Sequence, residues 1–144
     1  MEPEENIIIQ LQNQGIEYEL LQSEYIDSKD SELNKIIKKW TDKFIGNRTA
    51  PDLDKYFWHI FSYGATDSLS GLYAREAFYK QYDCDTFIFN EPQQFLIKCK
   101  GVIPKIEMED FVDDIYIAHH NMKWTYVLTH ESPDIGSFYS TGIK

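Results

Sequence analysis

The chain has 144 residues and a formal net charge of −10, and its length predicts one globular domain with a substantial core. The acidic balance argues against binding to nucleic acid, which depends on clustered Lys and Arg. No apolar run approaches the roughly 20 residues needed to cross a bilayer, and the acidic N-terminus does not resemble a secretory signal peptide. We therefore expect a cytoplasmic protein with neither a membrane nor a nucleic acid as its partner.

The N-terminal region predicts a helix followed by a strand. Pro3 suits the first turn of a helix over residues 4–14, and Gly15 is placed to end it. The β-branched run at 7–9 leaves a strand as the alternative. Residues 15–21 alternate between apolar and acidic side chains, which is typical of a half-exposed strand near a sheet edge.

The middle of the chain predicts two amphipathic helices and a strand between them. The first helix covers residues 28–44 and has a single apolar stripe: Leu33, Ile36, Ile37, Trp40 and Phe44. The second covers residues 69–82 and places four side chains along one side: Ala74, Ala77, Phe78 and Tyr82. Residues 56–63 are largely apolar at both odd and even positions. This favours a central strand buried on both faces, with a helical turn as the alternative.

The second half of the chain predicts strands that lie close in sequence. Residues 84–89 and 94–100 each fit a strand, and residues 108–113 fit one helical turn before the next pair of strands. The tail over residues 132–144 is expected to be partly irregular. Because these connections are too short for crossover helices, the strands should pair antiparallel.

Residues 113–130 predict a β-hairpin. Apolar residues alternate on both sides of a polar turn: Ile115, Ile117, Trp124, Tyr126 and Leu128. A two-residue loop at Asn121-Met122 would pair Ile117 with Tyr126, whereas a four-residue loop would pair it with Trp124. Both loops place the same residues on the same face, because a change of two residues preserves side-chain parity.

Together these elements predict an α+β fold over residues 1–144. We expect a mainly antiparallel or mixed sheet of about five to six strands, with two to three helices packed chiefly on one face. The rich aromatic supply of 9 Phe, 10 Tyr and 3 Trp favours β structure and argues against disorder.

Four segments carry a resemblance to a known family. They are residues 58–63 (WHIFSY), 74–78, 114–116 and 124–131 (WTYVLTHE). In order and spacing they resemble an uncharacterised family of small bacterial proteins, mainly from Firmicutes, that is defined by a domain of unknown function. The resemblance covers residues 28–131 and supports the domain boundaries, but it implies no activity.

The histidines are the first candidates for chemistry. His119 and His130 lie at opposite ends of the predicted hairpin, roughly 15–20 Å apart, so they cannot share a metal ion. Strand alternation places His120 on the face opposite His119, so we expect neither a metal site nor a cofactor. The candidate catalytic residues are His59, His130 and Glu131, which could act in acid–base chemistry. Hydrogen-bonded structural histidines are the alternative.

Other motifs indicate no recognised chemistry. Cys84 and Cys99 are too far apart for a C-x-x-C motif and are expected to be free thiols. The sequence contains no P-loop, dinucleotide-binding or nucleophile-elbow motif. A cluster of acids before the hairpin lacks the EF-hand pattern and is expected to form a solvated turn: Glu107, Glu109, Asp110, Asp113 and Asp114.

These observations predict a non-catalytic protein-binding domain whose acidic surface attracts a basic protein partner. An immunity protein that blocks a basic toxin is one concrete form of this hypothesis. One alternative is an enzyme of unknown substrate that uses His59, His130 and Glu131. Another is a homodimer formed through an exposed β edge.

Overall fold

The computed structural model describes residues 2–107, 113–132 and 134–143, and these form four helices and seven strands. The helices are α1 (Pro3–Asn13), α2 (Glu32–Phe44), α3 (His59–Ser62) and α4 (Gly71–Tyr79). The strands are β1 (Glu17–Gln22), β2 (Leu69–Ser70), β3 (Thr86–Glu91), β4 (Leu96–Lys100), β5 (Asp114–His119), β6 (Thr125–Leu128) and β7 (Phe138–Ser140).

The strands form one sheet in the order β1-β4-β3-β5-β6-β7-β2, and the pairings between the described strands are antiparallel. The predicted α+β class with an antiparallel sheet is therefore confirmed. The predicted numbers of strands and helices were too low, because β2 has two residues and β7 has three. Strands this short show too little alternation to be recognised in a sequence.

Helices cover both faces of the sheet, so the prediction that they pack chiefly on one face was wrong. One face carries α1 and α4, with Ile7, Leu11 and Phe78 in its apolar cluster. The other face carries α2 and α3, with Trp40 and Ile60 among its buried residues. Because helices cover both faces, the side chains on both sides of a central strand are buried. In β5, for example, every residue is buried.

The hairpin adopts the register of the two-residue loop. Ile117 faces Tyr126, and Ile115 faces Leu128. The predicted set of apolar residues lies in the cluster under α1 and α4: Ile115, Ile117, Trp124, Tyr126 and Leu128. The prediction that these side chains share one face of the hairpin is therefore confirmed, and it does not depend on the loop length.

Local signals set the ends of the first two long helices. After α1, Gly15 has a φ of 67°, and the N–H of Ile16 bonds to the carbonyl of Leu11 at 3.0 Å, which is the Schellman ending. At the start of α2, the Ser31 hydroxyl accepts the N–H of Asn34 at 3.2 Å, as an N-cap does. The helix predicted for the N-terminal run is thus confirmed, and the strand alternative is not.

The segment 56–63 is not a central strand. It contains the short helix α3, and Trp58, Ile60 and Phe61 are buried under α2. An apolar run of this length does not distinguish a buried strand from a buried helical turn. In α4 the predicted stripe is correct for Ala74 and Phe78, but Tyr82 lies beyond the helix and is 93% exposed.

The C-terminal tail contributes β7, which pairs with β6 and with β2. Residues 108–112, which include most of the predicted helical turn at 108–113, lie outside the described residues. Among the helices that the structure describes, none has the length and apolar character of a membrane span.

Candidate functional site

An open cleft of about 650 Å³ lies where β3 ends and β5 begins. Ten of the described residues line it: Tyr25, Asp54, Lys55, Tyr56, Phe57, Glu91, Pro92, Gln93, Gln94 and Asp114. Three of these are carboxylates and three are aromatic, so the cleft combines negative charge with flat apolar walls. The one basic residue of this lining, Lys55, has its ammonium group 3.8 Å from a carboxylate oxygen of Asp52.

The sheet register brings two of the carboxylates together. Glu91 is the last residue of β3 and faces Asp114, the first residue of β5, in the antiparallel ladder. Directly opposed residues in such a ladder have their Cβ atoms about 5 Å apart. Like charges at this distance repel each other, so the surroundings must hold them in place.

Glu91 is held by two hydrogen-bond donors. Its carboxylate accepts the backbone N–H of Phe57, with nitrogen–oxygen distances of 3.1 and 3.3 Å. It also accepts the hydroxyl of Tyr116. That hydroxyl in turn accepts the buried backbone N–H of Trp58 at 3.1 Å. A chain of hydrogen bonds therefore runs from the α3 region through Tyr116 to the floor of the cleft.

The surroundings of Glu91 make it hold its proton unusually well. The pKa of Glu91 is raised to about 7, chiefly by burial and also by the charge of Asp114. Hydrogen bonds from Tyr116 and Phe57, together with the charge of His130, act in the opposite direction. A carboxyl group that is close to half protonated at neutral pH responds strongly to any charge that enters the cleft.

Asp114 has one satisfied oxygen and one free oxygen. Its Oδ1 accepts the backbone N–H of His130 at 2.7 Å and lies 2.8 Å from the Nδ1 atom of the same residue. Its Oδ2 is buried and has no hydrogen-bond partner among the described residues. The side chain is only 1% exposed, and a buried, unpaired carboxylate oxygen is energetically costly.

The three residues proposed for catalysis occupy different positions around the cleft. His130 is 28% exposed and is bonded to Asp114. His59 is bonded through Nδ1 to the hydroxyl of Ser62 at 2.9 Å. Both histidine rings pack against Tyr56, at centroid distances of 5.9 Å for His59 and 4.9 Å for His130. Glu131 is exposed and is not among the residues that line the cleft.

Sequence reasoning missed Glu91, Tyr116 and Asp114 as members of one site. Glu91 falls between the predicted strands at residues 84–89 and 94–100, and Asp114 falls in the predicted solvated turn. The prediction of a solvated turn was wrong for Asp114, which is buried. The signal that could have joined them is the pairing of β3 with β5, which a single sequence does not specify.

A second cluster lies at the other end of β5. Ligand atoms of Cys84, His119 and His120 lie within 4.8 Å of one another. The two histidine rings stack at a centroid distance of 4.2 Å, so the expectation that they point to opposite faces was wrong. The reason is that β5 ends at His119 and the turn begins at His120, where strand alternation no longer applies.

The fold and the cleft thus define an α+β domain with a seven-stranded antiparallel sheet and an acidic, aromatic-lined pocket at one end of its central strands. The chain belongs to the family described as domain of unknown function DUF4275, whose profile matches residues 29–139. This result confirms the resemblance to a domain of unknown function. No curated protein and no solved structure matches the chain.

The matched region runs from the residues just before α2 through most of β7. It contains every lining residue of the cleft except Tyr25. The cluster of Cys84, His119 and His120 also lies within it.

Proposed function

We propose that this domain is a non-catalytic, cytoplasmic protein-binding module whose cleft receives a cationic side chain from a basic partner. The observation that carries the proposal concerns Asp114, which lines the cleft: its buried Oδ2 atom has no hydrogen-bond partner among the residues that the structure describes. A guanidinium or ammonium group would supply the missing donor and the missing opposite charge.

The walls of the cleft suit the same ligand. Tyr25, Tyr56 and Phe57 offer aromatic faces, which attract cations through their ring quadrupoles. Arginine fits best, because its planar guanidinium can stack on a ring while its N–H groups bond to two carboxylates. Glu91 and Asp114, opposed across the β3–β5 ladder, form such a pair of acceptors.

The charge of the whole chain supports the same kind of partner. A net charge of −10 creates a field that accelerates encounter with a basic protein and disfavours an acidic one. An immunity protein that covers the cationic site of a toxin is the concrete version of this proposal. Failure to bind any basic protein encoded beside its gene would contradict that version while leaving the general proposal intact.

Ligand binding in this cleft should release a proton. Because the pKa of Glu91 is about 7, a bound cation that favours the ionised carboxylate will displace its proton near neutral pH. Calorimetric titrations in buffers of different ionisation enthalpy would measure this release. A binding site on the open surface, made of ordinary carboxylates, would release none at that pH.

The experiment uses a hexa-arginine peptide as the probe and a hexa-citrulline peptide as its neutral isostere. In amide NMR spectra of the full chain, we expect the arginine peptide to shift the signals of Phe57, Glu91 and Asp114, and the citrulline peptide to leave them in place. Asp54 and Asp42 provide a matched pair of exposed aspartates, since Asp54 lines the cleft and Asp42 lies on α2.

Asp54→Asn should weaken peptide binding by about fivefold or more, whereas Asp42→Asn should change it less than about twofold, because exposed charges outside the site contribute little. Equal losses in the two variants would show that the peptide binds to the general acidic surface. The absence of cleft shifts at millimolar peptide would also contradict the proposal.

One observation favours a second candidate, an enzyme of unknown substrate. Asp114 holds the His130 ring through Nδ1, and a carboxylate in this position orients an imidazole for acid–base work. In this alternative His130 is the base, and His59 and Glu131 are nearby assisting groups. The alternative is weaker because none of the three lines the cleft.

A panel of nitrophenyl esters, phosphates and glycosides would test the enzyme hypothesis. Hydrolysis that falls at least about 100-fold in His130→Gln, in line with the loss of a general base, would favour it over binding alone. Turnover that is equal in the variant and the native chain would show that the activity does not arise from His130.

A further inference from the structure

We infer that Cys84, His119 and His120 form a binding site for a divalent transition-metal ion of the zinc type. Their ligand atoms lie within 4.8 Å of one another. Three atoms with these separations fit inside a circle of about 2.8 Å radius, so an ion can be placed no more than about 2.8 Å from each of them, against roughly 2.0–2.3 Å in zinc sites. Displacements of less than about 1 Å would therefore bring the three ligand atoms to the distances found in zinc sites.

The fold brings these three residues together through the β3–β5 ladder. Thr86 faces His119 in the ladder, and the N–H of His120 bonds to the carbonyl of Asp85 at 3.1 Å, which extends the pairing by one step. Cys84 is the next residue before Asp85 and so lies beside the histidine pair. The site thus lies at the end of the β3–β5 ladder, with His119 in β5 and with Cys84 and His120 just outside the strands.

The contacts of His120 leave one nitrogen of its neutral ring available as a ligand. Its Nδ1 lies 3.0 Å from the carbonyl oxygen of Asp85, and a carbonyl can only accept a hydrogen bond, so the proton is on Nδ1. The lone pair of Nε2 is then free to bind a metal. A ligating histidine whose other nitrogen donates to a backbone carbonyl is the usual arrangement in metal sites.

The surroundings of His119 favour its neutral, metal-binding form. Burial is the largest cause that lowers the pKa of His119, and the neighbouring His120 and Lys123 lower it further. Its Nδ1 accepts the backbone N–H of Asn121 at 2.9 Å. A metal on Nδ1 would take that lone pair, and a metal on Nε2 would leave the proton on Nδ1. In either case Asn121 loses this acceptor, at little cost because Asn121 is exposed.

Cys84 supplies the anionic ligand. Burial raises the pKa of Cys84, and the negative charges of Asp85 and Asp83 raise it further. The thiol is therefore protonated at neutral pH, and a metal ion must displace that proton when it binds. The same two aspartates attract a cation, which counteracts the charge of Lys123.

The ligand set indicates the class of metal. One thiolate and two imidazoles suit borderline ions such as Zn²⁺, Co²⁺ and Cu²⁺, and disfavour Ca²⁺ and Mg²⁺, which prefer oxygen. Three protein ligands leave a fourth position for water in a tetrahedral site.

This site is separate from the proposed partner cleft. Asp114 begins β5 and His119 ends it, so roughly 17 Å of strand divides the two sites. Metal binding at this site therefore does not depend on whether the cleft binds a basic partner.

Titration of the full chain with Co²⁺ at neutral pH tests the inference. We expect one ion per chain, a thiolate-to-cobalt absorption band, and displacement of that band by Zn²⁺. Cys84→Ser and His120→Gln should each weaken binding at least about tenfold, since even changes outside the ligand set cost that much. His59→Gln, a histidine far from the cluster in sequence and bonded to Ser62, is the control and should leave binding unchanged.

A second readout needs no substitution. Cys99 is fully buried, and burial raises its pKa to about 12, so a thiol reagent will modify Cys84 first. Zn²⁺ should protect Cys84 from alkylation and shift the amide signal of Asn121. Equal affinities in the native chain and Cys84→Ser, or no binding with Zn²⁺ in large excess, would overturn the inference.

Discussion

Asp114 and His130 are joined twice through a single oxygen atom. Asp114 Oδ1 accepts the His130 backbone N–H at 2.7 Å and lies 2.8 Å from the His130 ring nitrogen Nδ1. The two residues lie at the ends of neighbouring strands, just inside β5 and just beyond β6. This double contact fixes one carboxylate oxygen, whereas the other has no hydrogen-bond partner among the described residues.

Replacement of Asp114 by alanine should lower the free energy of unfolding by about 2 kcal/mol, because two donors on His130 lose their acceptor. Asp114→Asn keeps an oxygen at the same position and should cost less than about 1 kcal/mol. Urea denaturation at neutral pH measures both values. If the two variants were equally destabilised, the charge of Asp114 and not its accepting oxygen would be the important property.

Glu91 should make stability depend on pH. Its pKa is about 7 in the folded chain against an ordinary 4.5, so between these two values the folded chain binds more protons than the unfolded chain. Stability therefore falls as the pH rises through this window, by at most about 3 kcal/mol. Glu91→Gln cannot ionise and should lose this dependence.

Urea denaturation of the native chain and Glu91→Gln at about pH 4 and pH 8 gives the measurement, and the difference between the two proteins isolates Glu91 from all other titrating groups. The free energy of unfolding of Glu91→Gln should increase relative to that of the native chain as the pH rises. Glu19→Gln, at an exposed position of β1, is the control. A constant difference across the pH range would contradict the prediction.

Tyr116→Phe should remove the link between the α3 region and the cleft. The buried backbone N–H of Trp58 loses its acceptor, which should lower the free energy of unfolding by about 1–3 kcal/mol. Glu91 loses a hydrogen bond that lowers its pKa, so the pKa of Glu91 should rise further. Carboxyl NMR titration would detect this change.

Tyr63→Phe serves as the matched control, because Tyr63 is 53% exposed. It should change stability by less than about 0.5 kcal/mol. If Tyr116→Phe behaved like this control, the hydrogen-bond chain through the Tyr116 hydroxyl would not be important for stability.

Local patterns were sufficient for several elements. The alternation of Ile115 and Ile117 with Tyr126 and Leu128 predicted the faces of the hairpin, and the stripe ending at Phe44 predicted α2. In each case the information lies within a few residues of the element itself. The signal for α1, including its glycine ending, was equally local.

The candidate sites could not be predicted in this way, because they depend on strand order. Glu91 and Asp114 are neighbours in the sheet although 23 positions separate them in the sequence. Cys84 and His119 lie close together although 35 positions separate them. Alternation within one strand states which face a residue occupies, but not which strand lies beside it. The error at His120 came from applying strand parity to a residue of the turn.

The two borders of the sheet bear on how the protein behaves at high concentration. At one border β2 offers only two residues for pairing, and at the other β1 carries Glu17 and Glu19 and has a register shift between Leu20 and Gln22. Short strands, like charges and bulges all hinder the addition of another strand. Two copies meeting edge to edge would find few free backbone groups in register, so fibre-like stacking of this sheet is disfavoured at both ends.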